Sequence, residues 1–193
     1  VTGEAGLIAS EPLAAWQDWL AFHTINQVAG SLPKPFRDAS FAFYGTLLSG
    51  TPQQQPRDKL AIAAVNGSLG DAVGKIYAQR YFPASSKREI QGMVRNIVAA
   101  FDARLARLDW LSPATKLEAR RKLAVLIVGV GYPETWRDYA SLDVRRDDPV
   151  GNLQRARLYE YRHQLAKIGR PVDRAEWWMT PQTVNAVNLP LQN

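Results

Sequence analysis

Side chains able to carry acid–base or metal chemistry are scarce in this chain, which has two histidines and no cysteine. Disulfides, thiolate metal sites and cysteine nucleophiles are thereby excluded. His23 and His163 fall on different predicted helices. His-Glu-x-x-His, the spacing that sets two imidazoles on one helical face for zinc, does not occur. His23 lies on an apolar face, the usual setting of a core histidine, while His163 follows Arg162 on a charged helix and reads as a surface residue. No Gly-x-Ser-x-Gly elbow presents a serine nucleophile. Asp147-Asp148 pairs two carboxylates, but its place directly before Pro149 reads as a helix cap. Gly74-Lys75 resembles a phosphate loop only until Ile76, where that loop needs Ser or Thr. From these residues alone no complete active site is assembled.

One stretch near the end remains. After a Thr180-Pro181 turn, the β-prone run Thr183-Val184-Asn185-Ala186-Val187 predicts a short edge strand. An exposed edge can take an extended peptide as a further strand, with main-chain hydrogen bonds supplying affinity. The Asn185 carboxamide both donates and accepts, so it suits clamping a peptide backbone. On the residues alone a bond within its own sheet is the commoner role.

Helices must position this stretch. Ser10 predicts an N-cap for a first helix with Leu13, Trp16, Leu20 and His23 inward, ended by Gly30 and Pro33. A second is expected over 34–48 and a third over 57–79. In the third, Ile62, Val65, Leu69, Val73 and Ile76 form one stripe, and Ala63, Gly67, Gly70 and Gly74 form a second beside it. Glycine inside a helix is unfavourable by about 0.5–1 kcal/mol relative to alanine, so that second stripe implies close approach of a neighbouring backbone. Ile90, Val94, Ile97, Phe101, Leu105 and Leu108 mark an amphipathic fourth helix over 84–108. Ser112-Pro113 caps a fifth, which breaks at Gly129–Pro133, and the run Leu123–Val130 reads as a helix end entering a buried strand. Asp148-Pro149 opens a sixth through about Ile168, with Val150, Leu153, Tyr161, Leu165 and Ile168 inward. Asp173 and Glu176 have capping-box spacing for one further turn. The fold class is mainly α, a bundle-like domain of about six helices with a short edge β-strand at the C-terminal end.

A length of 193 residues suits one well-buried domain, and 46% hydrophobic with 22% charged residues lies in the globular range. The net charge is +6, but the basic residues are scattered among acidic ones, so no nucleic-acid partner is expected. The alternative reading is a stand-alone all-α binding or interaction module, either gripping nucleic-acid phosphates through Arg155, Arg157, Arg162 and Lys167 or surviving as the remnant of a pseudo-enzyme. The segment VTGEAGLIASEP lacks the basic and apolar regions of a signal peptide. No run approaches the roughly 20 apolar residues of a membrane span.

Met179-Thr-Pro-Gln-Thr-Val-Asn185-Ala186 resembles the segment before the zinc helix of neprilysin-type zinc metallopeptidases, which include neprilysin, endothelin-converting enzymes and bacterial oligopeptidases. Phe41-Ala-Phe-Tyr-Gly45, Val65-Asn-Gly67, Ala72-Val-Gly-Lys-Ile-Tyr77, Tyr81-Phe-Pro83, Leu108-Asp-Trp-Leu-Ser-Pro-Ala-Thr-Lys116 and Val172-Asp-Arg-Ala-Glu-Trp177 agree in the same order. The resemblance covers 12–190. It implies a helical, chamber-covering domain over 1–171 and the start of the catalytic domain over 172–193. It further implies a parent that is a zinc metalloendopeptidase hydrolysing small peptides, exported to the periplasm or outside the cell. Zinc and its His-Glu-x-x-His site should lie beyond Asn193, in a catalytic portion that is this chain's partner. Asn185 and Ala186 carry over as the pair that holds the substrate backbone, and this chain by itself is expected to be inactive and to bind no zinc. Val187 and Asn188 follow that pair where the family usually has aromatic residues.

Overall fold

The computed structural model describes residues 2–190. Its helices are α1 (Thr2–Ser10), α2 (Leu13–Val28), α3 (Lys34–Ser40), α4 (Arg57–Tyr81), α5 (Ala84–Arg107), α6 (Pro113–Ala124) and α7 (Pro149–Leu165). The chain divides into two compact units, one formed by Val1–Ala64 with Leu142–Tyr159 and the other by Val65–Ser141 with Glu160–Asn193.

In the first unit Ser10 ends α1 and does not cap α2. The N-cap position of α2 is Pro12, with φ −66° and ψ 148° and no side-chain cap. Pro12 disfavours helical geometry at the residue before it, which separates the two helices. Gly3 and Gly6 weaken the helical signal of α1 in the sequence. A 3₁₀ turn (Ala29–Ser31) closes α2, and α3 passes directly into a π-helical stretch, Phe41–Leu48. The expected single helix over 34–48 is thus wound in two ways. Asp148 caps α7 as expected, its Oδ1 accepting from Gly151 N at 2.8 Å. Arg155 donates to Asp148 and to the Asp143 carbonyl, and Arg157 forks onto the side chain and carbonyl of Gln27.

In the second unit Ser112 caps α6, accepting from Thr115 N at 3.2 Å. α6 and α5 run antiparallel: Arg120 reaches Asp102 and Lys116 reaches the Ala106 carbonyl, so residue numbers rise on one helix as they fall on the other. Lys87 is buried at the start of α5, donating to the Tyr132 carbonyl at 2.7 Å, pairing with Glu134 and lying 4.0 Å from the centre of the Tyr132 ring. That turn requires Gly131, whose φ is +72° and whose missing side chain leaves room for the Phe82 ring.

Several expectations fail. Among the described residues there is no strand, either at 183–187 or at the end of the Leu123–Val130 run. A strand exists only by ladder pairing, and among the described residues neither run forms a ladder. Val125, Leu126, Ile127 and Val128 are all exposed. The apolar stripes are also open, with Leu13, Leu20, Ile62, Val65, Ile97, Phe101, Tyr161, Leu165 and Ile168 exposed. His23 is half-buried, its ring 4.2 Å from that of Trp19. The well-buried core expected from composition is absent: the buried apolar residues described are Val28, Ala29, Ala78 and Ala156. Periodicity determines which face of a helix is apolar, but burial needs another element laid on that face.

Candidate functional site

The Asn185 segment is positioned from α4. That helix is broken at Leu69, where φ is −131° and ψ is 33°, and its buried residues are Gly70, Gly74 and Ala78. The expected close approach is thus found at Gly70 and Gly74 only, where side chains and not a backbone make it, while Ala63 and Gly67 of the same stripe are exposed. The cover at Gly70 and Gly74 is the turn Thr180–Thr183. A Cβ built on Gly70 would lie 2.6 Å from Thr180 Cγ2, and one on Gly74 would lie 2.5 Å from Pro181 Cδ. Contacts this short leave no room for a side chain, so the stripe is a notch for the turn. Gly67 meets nothing within 4 Å, and nothing in the structure explains it.

The turn follows from its residues. Pro181 supplies the fixed φ favoured at the second position of a turn, and Thr183 N donates to the Thr180 carbonyl at 2.9 Å. The Thr180 and Thr183 hydroxyls lie 3.0 Å apart. Gln182 ties the turn down, its Nε2 donating to Asn66 Oδ1 at 3.1 Å and to the Gly70 carbonyl at 3.2 Å. A main-chain carbonyl only accepts, so the amide nitrogen of Gln182 must be the atom that faces Gly70. Sequence reasoning missed both Gln182 and Asn66. The glycine stripe was their one signal, and it marked where a partner would sit without saying which.

Upstream, the chain lies along the loop after α6. Arg174 donates to the Val125 carbonyl at 2.6 Å, and the Trp177 ring covers Gly129, 3.0 Å from a Cβ built there. The turn expected at Asp173 forms, with Glu176 N donating to the Asp173 carbonyl at 3.3 Å. Asp173 Oδ1 accepts from Ala175 N, while the Glu176 carboxylate turns to Lys167 and to His163 Nε2 at 3.4 Å. His163, expected at the surface, is half-buried in that contact. Burial pushes the Glu176 carboxyl up, but hydrogen bonds and charge from Lys167 and His163 outweigh it and hold it below the usual carboxylate value.

A second ionic group joins α4 to α7 within the same unit. Arg137 lies between Asp71, at 3.5 Å, and Glu160, with which it hydrogen-bonds. Burial pushes Glu160 up as well; hydrogen bonds from Gln164 and Arg137 and the charge of Arg137 more than offset this, leaving it low. The Arg137 guanidinium is raised: burial works against its charge, and Glu160 overcomes that effect.

Asn185 and Ala186 lie exposed just beyond the turn. Asn185 N donates to the Thr183 carbonyl at 3.1 Å, and Asn185 Oδ1 accepts from Ala186 N at 2.7 Å. The carboxamide oxygen thus bonds to its own chain, on a residue that is exposed. Among the described residues no group of three or more histidine or carboxylate ligands could hold a metal ion. The donor set for zinc, commonly three protein groups, does not fit anything here.

A family model described as Peptidase family M13 matches residues 2–133. The chain belongs to peptidase family M13. The M13 chain is 33% identical over 178 residues to a neutral endopeptidase of Lactobacillus helveticus, covering 91% of this chain and 27% of that protein. It is 28% identical to human endothelin-converting enzyme-like 1, over 97% of this chain and 25% of that one. Among solved structures it superposes on the zinc metalloprotease Zmp1 of Mycobacterium tuberculosis in its open state, with a TM-score of 0.87 and 41% identity. That likeness covers 97% of this chain and 29% of Zmp1. Against the inhibitor complex of Zmp1 the TM-score is 0.85 at 40% identity, covering 97% of this chain and 28% of that one. The M13 chain therefore spans between a quarter and a third of the length of these relatives. None of its described helices is long and apolar enough to cross a membrane.

Proposed function

We propose that this chain forms the helical part, 1–171, of a zinc metalloendopeptidase acting on small peptides, with 172–193 opening its catalytic part. Zinc belongs to that further part, which is also the partner that would cover the exposed apolar faces of α2, α4 and α5. Asn185 and Ala186 hold the substrate: the side-chain N–H donors of Asn185 bond a peptide carbonyl, and the Ala186 N–H becomes a second donor once the Asn185 side chain lets go of it. The observation that carries this reading is the M13 match together with a turn anchored on α4 immediately before Asn185. The relatives are an endopeptidase, an endothelin-converting enzyme-like protein and a zinc metalloprotease, and export from the cytoplasm is the location proposed with them.

The test uses the whole protein and a short fluorogenic peptide. Asn185→Ala removes one hydrogen-bonding arm and is expected to lower kcat/KM by about tenfold. Unchanged kinetics would remove the substrate role. Zinc-dependent cleavage by the isolated 193-residue chain would overturn the assignment of zinc to another part of the protein.

A further inference from the structure

We infer that Gln182 is a positioning residue for the Asn185–Ala186 pair, acting through Asn66 and Gly70 at the break in α4; this rests on the substrate reading above. Three independent features meet at that point. α4 leaves helical geometry at Leu69, between Asn66 and Gly70. The face beyond the break has no side chains at Gly70 and Gly74, and the turn fills that space at 2.6 and 2.5 Å from where Cβ atoms would stand. The Gln182 carboxamide enters the same notch and bonds one side-chain and one main-chain acceptor of α4, with its Oε1 buried beside Gly74.

The physical consequence concerns direction. Among the described residues the hydrogen bonds of Asn185 go to Thr183 and Ala186, which move with it. Its aim relative to α4 is set by the last residue upstream that is tied to the helix, and that residue is Gln182. Thr180 and Pro181 seat the turn by shape. Shape alone still permits rocking about the notch, whereas two hydrogen bonds from one carboxamide to Asn66 and Gly70 suppress it. A pair held this way is prealigned for an extended peptide, so less ordering remains to be done on binding.

The experiment compares Gln182→Ala, Gln182→Glu and Asn66→Ala with Asn185→Ala in the whole protein. It reads peptidase kinetics and amide hydrogen exchange of Thr183 and Asn185. Gln182→Glu keeps the shape but sets an acceptor against the Gly70 carbonyl. It also serves if Gln182→Ala folds poorly. Expected is a rise in KM of about five- to tenfold with kcat little changed, because the group lost acts on substrate alignment. Exchange at Thr183 and Asn185 should quicken by a similar factor while α6 keeps its protection. Asn66→Ala combined with Gln182→Ala should be no worse than Gln182→Ala alone, since Asn66 acts through its bond to Gln182. Wild-type KM and exchange in both Gln182 variants, with kcat/KM still lost in Asn185→Ala, would overturn the positioning role and leave the substrate reading intact. A silent Asn185→Ala would instead remove the substrate reading and this inference with it.

Discussion

Gly74 on α4 and Pro181 in the turn are so close that a Cβ built on Gly74 falls 2.5 Å from Pro181 Cδ. A proline ring cannot swing aside as a long side chain would, so an added methyl must displace the turn or the helix. Gly74→Ala gains up to about 1 kcal/mol in helix propensity but suffers overpacking of about 1–3 kcal/mol, and net destabilisation is expected. Gly67, on the same helix, meets nothing within 4 Å. Gly67→Ala is expected to stabilise by about 0.5–1 kcal/mol. Urea denaturation of the whole protein reads both, and effects of the same sign would remove the notch as the reason for Gly74.

Lys87 is the buried charge of the second unit, with its side chain 8% exposed while its partner Glu134 is 84% exposed. The two ends of this pair should therefore behave differently. Lys87→Met strands the Tyr132 carbonyl and breaks the ring contact, and a loss of about 2–4 kcal/mol is expected. Glu134→Gln removes only a solvated partner and should cost less than about 1 kcal/mol. Thermal unfolding distinguishes them, and equal losses would contradict the asymmetry.

Glu160 and Glu176 both titrate below the ordinary carboxyl value of 4.5. A carboxyl whose folded-state value is depressed contributes stability above its unfolded value, and that contribution disappears as pH falls through the folded value. Both groups therefore stabilise the fold at neutral pH, and their contribution should fade from about pH 5 downward. A variant carrying Glu160→Gln and Glu176→Gln should unfold at lower temperature than the parent near neutrality. That gap should narrow steadily on acidification. A gap that stays constant down to about pH 3 would mean that the two side chains act by packing and not by charge.

Asn185→Ala in the whole protein is the outcome on which the substrate reading depends, and it should separate from Gln182→Ala in one respect. Loss of the clamp itself is expected in kcat/KM whatever the order of the segment. Loss of the anchor should appear together with faster amide exchange at Thr183 and Asn185. Parallel measurement of exchange and kinetics tells the two apart.

Much of this protein was legible from residues alone because its signals are local. Ser112-Pro113 and Asp148-Pro149 announce helix starts through their own backbone chemistry, and both caps form as read. The glycines of α4 announce a close approach, and it is met at Gly70 and Gly74. The blocks around Val65-Asn66-Gly67 and Val184-Asn185-Ala186 carried the family.

What the sequence could not decide is what each surface meets. The run Thr183–Val187 has the composition of a strand, yet a strand is a relation between two segments, and the described residues supply no second one. The stripes of α2, α4 and α5 have the right period for a core and remain exposed, because burial depends on a neighbour rather than on the helix itself. Glu176 has the spacing of a capping box, and nothing in that spacing tells that its carboxylate also meets Lys167 and His163 on the preceding segment. Gln182 reads as an ordinary polar turn residue until α4 places Asn66 and Gly70 within its reach. The sequence by itself determined most of the helices, the caps at Ser112 and Asp148, the small-residue face of α4 and the family. Only the tertiary structure decided that a turn fills that face and that Gln182 holds it there, because a hydrogen bond between residues 116 positions apart depends on where folding brings them.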